Sequence, residues 1–425
     1  MTAFRLAAGL ALASLLASTP AALAGTSLVI DAGTGNILSA ENPTQAWHPA
    51  STTKMMTLYV ALKAVREGRI GLDTAIPASA LAAKQPRVKV YIKAGQEVTL
   101  DNALRIMMVK SANDIAYVIA EGVGGDVESF VASMNAEAQR LGMGDSHFVN
   151  PNGWHHPDQQ TSARDLAILA MALMREFGQY SDYWNTGAVQ LGKQLLQNTN
   201  GLVGRYHGIN GFKTGFVCAS GFNVVATATR GGRTLIAVVM GALSGSERTV
   251  KAAQLLDDGF GKWSGMGGNV AGLPSGSGGR AQNICADVRR GGSPLGDDVD
   301  TAGPITFAPS PHGGNAEGTS DRFPVAGQAP AGVGSSLLTR SPSGRVTLGP
   351  RAPLQTVQVS FGRTPASDRA PLAANVAARG GSRVAGEAIT PGAPVAAGLV
   401  PGGRTGSGNG AIPSTSSAFA PVTQQ

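Results

Sequence analysis

The sequence is poor in aromatic residues, charged residues and cysteine. Of its 425 residues, 5% are aromatic, 14% are charged and only 2 are cysteine, whereas about a quarter of a typical globular chain is charged. Glycine, with 58 residues, and proline, with 24, are abundant. This composition, low in aromatic and charged residues and high in glycine and proline, predicts one well-packed domain together with a long segment that buries little apolar surface.

The sequence also lacks the signs of nucleic-acid-binding, metal-binding and membrane-spanning proteins. Its net charge of +7 is scattered, without dense basic runs, so we expect no nucleic-acid partner. The six histidines, including the pair His155-His156, form no His-Glu-x-x-His motif or Cys/His cluster, so we expect no metal and no other cofactor. No run after the first 24 residues is apolar enough to span a bilayer. Ala411 to Gln425 have no basic apolar face, so no membrane anchor is evident.

The N-terminus predicts export. Arg5 precedes an apolar run, and Ala22-Leu23-Ala24 forms a small-x-small cleavage site. Residues 1–24 are therefore predicted to be a secretory signal peptide, with an N-terminal membrane anchor as the alternative. Export predicts a periplasmic or secreted protein. In an oxidising compartment Cys218 and Cys285 can form a disulfide, but one buried and one exposed thiol are equally compatible with the sequence.

Residues 25–262 predict an α+β domain in which helices cover a mostly antiparallel sheet. Apolar residues at three- and four-residue spacing predict a helix that begins at Ser51 and ends at Gly68. The other predicted helices are at 100–110, after Asn113, at 166–177 with Ser162 as the N-cap, and at 247–260. The predicted strands are at 27–30 and 36–39, with a hairpin of strands 222–229 and 234–240.

Residues 263–425 have a different composition. Glycine, proline, alanine and serine dominate this segment, and lysine is absent from it. Such a composition buries too little apolar surface to offset the entropy lost on ordering. We therefore predict a largely disordered C-terminal tail that is dispensable for activity, with a small binding module as the alternative. Val357 to Phe361 has the composition of a strand, but the sequence shows no partner for it.

Three short motifs occur in chain order, and the first is Ser51-Thr52-Thr53-Lys54. Residues three apart lie on one face of a helix, so the lysine amine can reach the serine hydroxyl. A serine hydroxyl becomes a good nucleophile when a base removes its proton. Lysine is such a base only when burial or a nearby cation keeps it neutral. Taken alone, the motif is explained equally well by a helix N-cap followed by an exposed lysine.

The other two motifs are Ser111-Ala112-Asn113, between two predicted helices, and Lys213-Thr214-Gly215, which leads into the predicted strands. The serine can relay a proton, and the asparagine can orient a lysine or a substrate amide. A cation and a hydroxyl on an edge strand suit a substrate carboxylate, and glycine allows close approach of another backbone segment. A helix cap and a surface turn would explain the two motifs singly. All three motifs in this order are typical of penicillin-binding proteins and β-lactamases.

The chain resembles the D-alanyl-D-alanine carboxypeptidases, the low-molecular-mass penicillin-binding proteins typified by penicillin-binding protein 5. The resemblance extends from about residue 27 to 262. It implies a β-lactamase/transpeptidase-like fold with an α-helical subdomain. It also implies a serine hydrolase that cleaves the terminal D-alanine from peptidoglycan stem peptides and is inhibited by β-lactams such as penicillin. The resembling stretches are Val29 to Ala32 with Gly35, Pro49 to Thr57, Val109 to Asp114, Phe148 to Gly153, Thr161 to Asp165 and Gly211 to Phe216.

The resemblance implies a catalytic role for five residues. Ser51 would attack the carbonyl between the two D-alanines, with Lys54 as its base. Ser111 would pass the proton to the leaving amine, oriented by Asn113 and supported by the charge of Lys213. Water would then cleave the acyl-enzyme, again with Lys54 as the base.

The resemblance also implies a substrate-binding side of the site. The backbone N–H groups of Ser51 and Phe216 would hold the oxyanion, and the terminal carboxylate would meet Thr214 and Arg248. Family members carry a substrate-binding arginine where this chain has Thr199, for which Arg205 is a candidate replacement. The implied substrate-binding residues are Thr214, Gly215, Phe216 and Arg248.

Three other functions use similar residues. An endopeptidase that cuts peptidoglycan crosslinks would have the same machinery. A class A β-lactamase needs a deacylating glutamate, and the stretch from Thr161 to Asp165 offers none. A non-catalytic penicillin-binding or wall-binding module is the third alternative, against which the complete motif set argues.

Overall fold

The structure, a computed structural model, describes residues 25–262, 267–276, 279–291, 305–307, 338–342 and 345–362; the predicted signal peptide lies outside these ranges. In chain order the strands are β1 (Thr26–Asp31), β2 (Ile37–Glu41), β3 (Ala75–Pro77), β4 (Glu97–Thr99), β5 (Ala188–Leu191), β6 (Gln194–Gln197), β7 (Ile209–Val217), β8 (Gly221–Arg230), β9 (Arg233–Ala242), β10 (Ile305–Phe307), β11 (Leu338–Arg340), β12 (Val346–Leu348) and β13 (Thr356–Val359). The α-helices are α1 (Lys54–Arg66), α2 (Ala80–Ala83), α3 (Leu100–Lys110), α4 (Asn113–Gly124), α5 (Val127–Arg140), α6 (Ala163–Phe177), α7 (Asp182–Asn185), α8 (Gly245–Phe260) and α9 (Cys285–Arg290).

The centre of the fold is an antiparallel five-stranded sheet in the order β2-β1-β9-β8-β7. Its strands are apolar on both faces because helices cover both. On β1, Leu28 and Ile30 join one apolar core, whereas Val29, which points to the opposite face, joins the other. β8 and β9 form the predicted hairpin. The sheet confirms the predicted α+β class.

Helices pack on the two faces of this sheet. α8 lies against β8 and β9 on one face, and α6 lies against β1 and β9 on the other. The apolar residues Leu166, Leu169, Leu173 and Phe177 of α6 are fully buried, as their helical spacing predicts. The Ser162 Oγ accepts a hydrogen bond from the Asp165 N–H, 3.2 Å away, so the predicted N-cap is confirmed. α1 to α5 build a helical subdomain beside the sheet.

The helix predicted to begin at Ser51 begins three residues later. Ala50–Thr53 is a 3₁₀ turn, and α1 starts at Lys54. Ala50 has a φ of 49°, in the left-handed region that a non-glycine residue seldom adopts. The Thr52 hydroxyl donates to the Pro49 carbonyl, 2.7 Å away, and so supports the tighter turn. Periodicity alone does not distinguish these two kinds of helical turn.

Several segments of the predicted disordered tail are in fact structured. β13, the strand predicted to lack a partner, pairs in parallel with β5, and β10, β12 and β11 form a small sheet against α8. The prediction is wrong for these segments, because side chains such as Leu348 and Val359 are buried against apolar surface of the rest of the domain. Residues 263–266, 277–278, 292–304, 308–337, 343–344 and 363–425 of the predicted tail lie outside the described residues.

Cys218 and Cys285 form a disulfide. It joins the end of β7 to α9, and the Ile284 N–H adds a hydrogen bond to the Ala219 carbonyl, 3.0 Å away. A second part of the tail region is thereby fastened beside the edge strand β7. Within the described ranges, no helix combines the length and apolar character needed to cross a membrane.

Candidate active site

The first motif forms a buried serine–lysine pair. Lys54 is the first residue of α1, so its side chain lies one turn from Ser51 and is fully buried. Its Nζ donates to Ser51 Oγ at 2.9 Å, to Asn113 Oδ1 at 2.8 Å and to the Asn152 carbonyl at 2.6 Å. These oxygens all belong to neutral groups and fix the amine against the serine hydroxyl. This is the geometry that proton transfer between the two groups requires.

The backbone around Ser51 is held from several sides. The Asn223 amide on β8 donates to the carbonyls of His48 and Pro49, at 2.9 and 3.1 Å. Gly153, with a φ of +80°, lies so close that a Cβ atom there would stand 1.9 Å from the Ala50 carbonyl oxygen. Only glycine therefore fits that position. These contacts hold the turn that carries Ser51 in one place relative to the sheet.

The second motif lies where α3 ends and α4 begins. Ser111 caps α3 with a φ of 66°, and its buried Oγ has no hydrogen-bond partner among the described residues. A strained backbone and an unsatisfied buried hydroxyl both cost free energy, and such features concentrate at functional sites. Asn113 reaches Lys54 through Oδ1 and donates from Nδ2 to the Pro86 carbonyl at 3.2 Å.

Asp114 anchors the loop that follows Pro86. Its carboxylate accepts the backbone N–H groups of Val90 at 3.1 Å and Ile92 at 3.2 Å. Burial raises the pKa of Asp114, and these N–H donors oppose the rise. The Asn113 N–H also donates to the Val88 carbonyl, 2.8 Å away. The residues after Ser111 thus position the loop that forms the opposite wall of the site.

The third motif lies on β7, the edge strand predicted for it, facing the turn that carries Ser51. A Cβ atom on Gly215 would stand 2.8 Å from the Ser51 nitrogen, so glycine lets strand and turn approach. The Thr214 hydroxyl donates to Thr199 Oγ1 at 2.8 Å, and Lys213 Nζ donates to the Thr214 carbonyl at 3.1 Å. The Phe216 ring stacks on that of Phe222 with centroids 4.2 Å apart.

These elements enclose a cleft beside Ser51. It brings Ser51, Ser111 and Asn113 together with Phe216, as the sequence predicts. Lys54, Lys213 and Thr214 are at most 1% exposed and lie behind its surface. The described residues that line the cleft are Ser51, Arg87, Val88, Ser111, Asn113, Gly153, Trp154, Phe216 and Val217.

The two arginines proposed for the substrate carboxylate do not line this cleft. Arg248 is fully buried, with its guanidinium 5.8 Å from the centre of the Phe222 ring. Arg205 is 2% exposed and donates to the Gly201 carbonyl within its own turn. Thr199, where the resemblance implied an arginine in family members, is hydrogen-bonded to Thr214. The carboxylate roles of Thr214 and Arg248 stay predictions.

Sequence reasoning missed several residues that shape the site. Asn152 belongs to a resembling stretch, but nothing local shows that its carbonyl meets Lys54. Asn223 looks like an ordinary strand residue, and Trp154 looks like a loop residue although it is a half-exposed wall of the cleft. In the described part of the chain, no three His, Cys, Asp or Glu side chains are grouped as metal ligands.

Comparisons with known proteins agree with this geometry. The family described as D-alanyl-D-alanine carboxypeptidase matches residues 14–244. The D-alanyl-D-alanine carboxypeptidase DacF of Bacillus subtilis is 32% identical over 246 residues, which are 56% of this chain and 63% of that relative. The chain therefore spans less than two thirds of the length of this curated relative.

Solved structures show the same fold. Penicillin binding protein 5 from Haemophilus influenzae has a TM-score of 0.54 and 33% identity, covering 56% of this chain and 71% of that one. Penicillin-binding protein D2 from Listeria monocytogenes, solved in a cefotaxime-bound form, has a TM-score of 0.52 and 27% identity, covering 56% of this chain and 97% of that one. The fold similarity thus extends to a protein solved with a bound β-lactam.

Proposed function

Because the chain belongs to the D-alanyl-D-alanine carboxypeptidase family, we propose that it hydrolyses the terminal D-alanine from peptidoglycan stem pentapeptides through an acyl-enzyme on Ser51. One observation carries the proposal: the buried Lys54 amine lies 2.9 Å from Ser51 Oγ, in a cleft that also contains Ser111 and Asn113. A serine hydroxyl next to a sequestered amine is the arrangement that generates an alkoxide nucleophile.

Acylation begins from neutral Lys54. Its two amine hydrogens stay on Asn113 Oδ1 and the Asn152 carbonyl, while its lone pair takes the proton of the Ser51 hydroxyl. Ser51 Oγ then bonds to the carbonyl carbon between the two D-alanines, and the carbonyl oxygen becomes an oxyanion. The backbone N–H groups of Ser51 and Phe216 stabilise this charge, because the packing at Gly215 brings β7 against the nucleophile's turn. The C–N bond breaks as the proton held by Lys54 passes through Ser111 Oγ to the nitrogen, so that D-alanine leaves and Lys54 is neutral again.

Ser111 suits this relay because its buried hydroxyl has no partner among the described residues. The hydroxyl is therefore available to the substrate nitrogen. Asn113 bonds Lys54 through one end of its amide and Pro86 through the other, so it holds the amine in line. In deacylation Lys54 takes a proton from water, and the hydroxide attacks the ester carbonyl. The C–O bond to Ser51 then breaks, Lys54 returns its proton to Ser51 Oγ, and the shortened peptide leaves.

The same cleft should accept β-lactams, which carry a strained amide in place of the peptide bond. None of the described cleft-lining residues carries a carboxylate, so the deacylating glutamate of a class A β-lactamase has no counterpart there. We therefore propose that penicillin acylates Ser51 and is released slowly.

We also propose that residues 1–24 direct export and that the enzyme works in the periplasm or outside the cell on the peptidoglycan. The disulfide between Cys218 and Cys285 supports export, because disulfides persist in oxidising compartments. The proposed catalytic domain begins at residue 25, and the segments up to Gly362 that pack on it belong to the same unit.

The test combines fluorescent penicillin labelling with D-alanine release from a pentapeptide. We expect slow release of the label and free D-alanine, with both lost in the Ser51→Ala variant and the label found by mass on the peptide containing Ser51. Rapid release of hydrolysed penicillin would identify a β-lactamase, and faster cleavage of a crosslinked dimer would identify an endopeptidase. Absence of labelling would identify a non-catalytic module. Activity retained by Ser51→Ala would remove Ser51 as the nucleophile.

A further inference from the structure

A segment outside the family match packs against β5 and the start of α3. We call residues 351–362 the C-terminal strap. Its strand β13 pairs in parallel with β5, the Ala352 N–H donates to the Gly204 carbonyl at 2.8 Å, and the Ser360 carbonyl accepts from Asn102 Nδ2 at 3.0 Å. The strap thus spans from the turn after β6 to the start of α3, the helix that ends at Ser111.

Arg351 is the first residue of the strap and forms hydrogen bonds to the turn that follows β6. Its guanidinium donates to Gln197 Oε1 at 2.9 Å, to the Asn198 carbonyl at 3.4 Å and to the Asn200 carbonyl at 3.2 Å. The two carbonyls stand on either side of Thr199. The planar fork of a guanidinium can hold several oxygens at once, and this fixes the conformation of the residue between them.

Thr199 connects the turn that Arg351 holds to two motifs of the site. Its Oγ1 accepts the Thr214 hydroxyl at 2.8 Å, and its N–H donates to the Val109 carbonyl at 3.3 Å, near the end of α3. Thr214 lies beside Gly215 on the edge strand, and α3 ends in the strained Ser111. A shift of the turn would therefore move the hydroxyl of Thr214 and loosen the end of α3.

We propose that Arg351 is a positioning residue for the substrate carboxylate, acting through Thr199 on Thr214. The inference rests on the proposed function, since it assigns the D-alanine carboxylate to the Thr214 side of the cleft. The strap delivers a guanidinium to the backbone of the turn that contains Thr199. The C-terminal region thereby takes part in substrate recognition indirectly, through contacts that hold Thr199 and Thr214.

The test compares the full-length enzyme on two peptides, one ending in D-alanine with a free carboxylate and the other in D-alaninamide. For Arg351→Ala we expect kcat/KM on the acid to fall about tenfold, mainly through KM, because small displacements of binding groups have effects of this size. The amide should change by less than about twofold, since it lacks the charge that Thr214 orients. Arg351→Lys should fall between wild type and Arg351→Ala, because an ammonium can hold fewer of the three oxygens.

Leu354→Ala is the matched control. Leu354 packs its side chain near Gly187 and Gly204, so its truncation should lower thermal stability but leave the acid-to-amide ratio unchanged. Thr199→Val should reproduce the loss on the acid, and combining it with Arg351→Lys should add little, because both act through one path. These variants also decide the question if Arg351→Ala does not fold.

Two results would overturn the inference while leaving the proposed function intact. One is an acid-to-amide ratio within about twofold of wild type in Arg351→Lys, Arg351→Ala and Thr199→Val. The other is an equal change of that ratio in Leu354→Ala. A wild-type enzyme that releases no D-alanine from the acid would overturn both proposals, and that outcome is visible before any variant is compared.

Discussion

The contact between Gly215 and the nucleophile's turn allows a quantitative test. In Gly215→Ala the new Cβ would stand 2.8 Å from the Ser51 nitrogen and 2.9 Å from both the Pro49 oxygen and the Thr52 nitrogen. Ordinary contact begins at 3.4 Å, so strand and turn must separate by about 0.6 Å. All three neighbours are backbone atoms, and no side chain can rotate away to relieve the overlap.

This displacement acts on the backbone that carries the reacting Ser51 hydroxyl. A misplacement of about 1 Å can reduce an enzymatic rate by about 100-fold, so we expect penicillin acylation of Gly215→Ala to slow by about 10- to 100-fold, or about 1.4 to 2.7 kcal/mol in activation free energy. Overpacking should also cost about 1–3 kcal/mol of stability. The expected fall in Tm is about 2–12 °C for a domain of this size.

The assay is the second-order rate constant of labelling by fluorescent penicillin, measured beside Tm. Gly178→Ala is the control, because Gly178 has a helical φ of −56° and a Cβ added there would meet no neighbour from the described residues within 4 Å. It should label as fast as wild type. Labelling of Gly215→Ala within about twofold of wild type would refute the claim that this contact places Ser51. So would an equal loss of rate in Gly178→Ala.

Two further predictions concern stability. A chain that ends at Lys262 should lose about 10 °C or more in Tm and most of its activity, because it lacks the disulfide and the strap. A chain that ends at Arg369 should have the Tm and activity of the full-length protein. Equal Tm values for the two truncated chains would show that the tail region is dispensable. In Asp31, burial raises the pKa, but hydrogen bonds from Arg233 and the turn outweigh it and lower the pKa below 3.8. Asp31→Asn should therefore cost about 1 kcal/mol at pH 7, and this difference should vanish as the pH falls through the lowered pKa; urea unfolding at pH 7 and pH 2.5 checks the sign, and a constant difference would contradict it.

Strongly periodic segments and local caps could be predicted from the sequence. α3 has the predicted bounds, and the Ser162 cap and the hairpin of β8 and β9 lie where the pattern indicates. These features depend on hydrogen bonds and side-chain spacing within a few residues, so a short stretch of chain contains the information. The three motifs likewise predicted one shared site, and the cleft contains Ser51, Ser111 and Asn113.

Contacts between distant segments were decided by the tertiary structure. β13, whose composition is that of a strand, pairs with the edge of β5, a partner that the sequence did not show. The pairing of Cys218 with Cys285 was open until the fold brought the end of β7 to α9. Sequence spacing carries no information about either approach, since loop closure over long separations depends on surfaces that exist only after folding.

The sequence by itself determined which groups are available for the proposed chemistry: a serine and a lysine one helical turn apart, followed by Ser111, Asn113 and the Lys213 motif. The tertiary structure alone decided how that chemistry is supported. It placed the Asn152 carbonyl on Lys54 and brought Arg351 to the turn that holds Thr199. The physical reason is that residue types fix which groups can react, whereas their alignment within fractions of an ångström comes from packing among segments far apart in the chain.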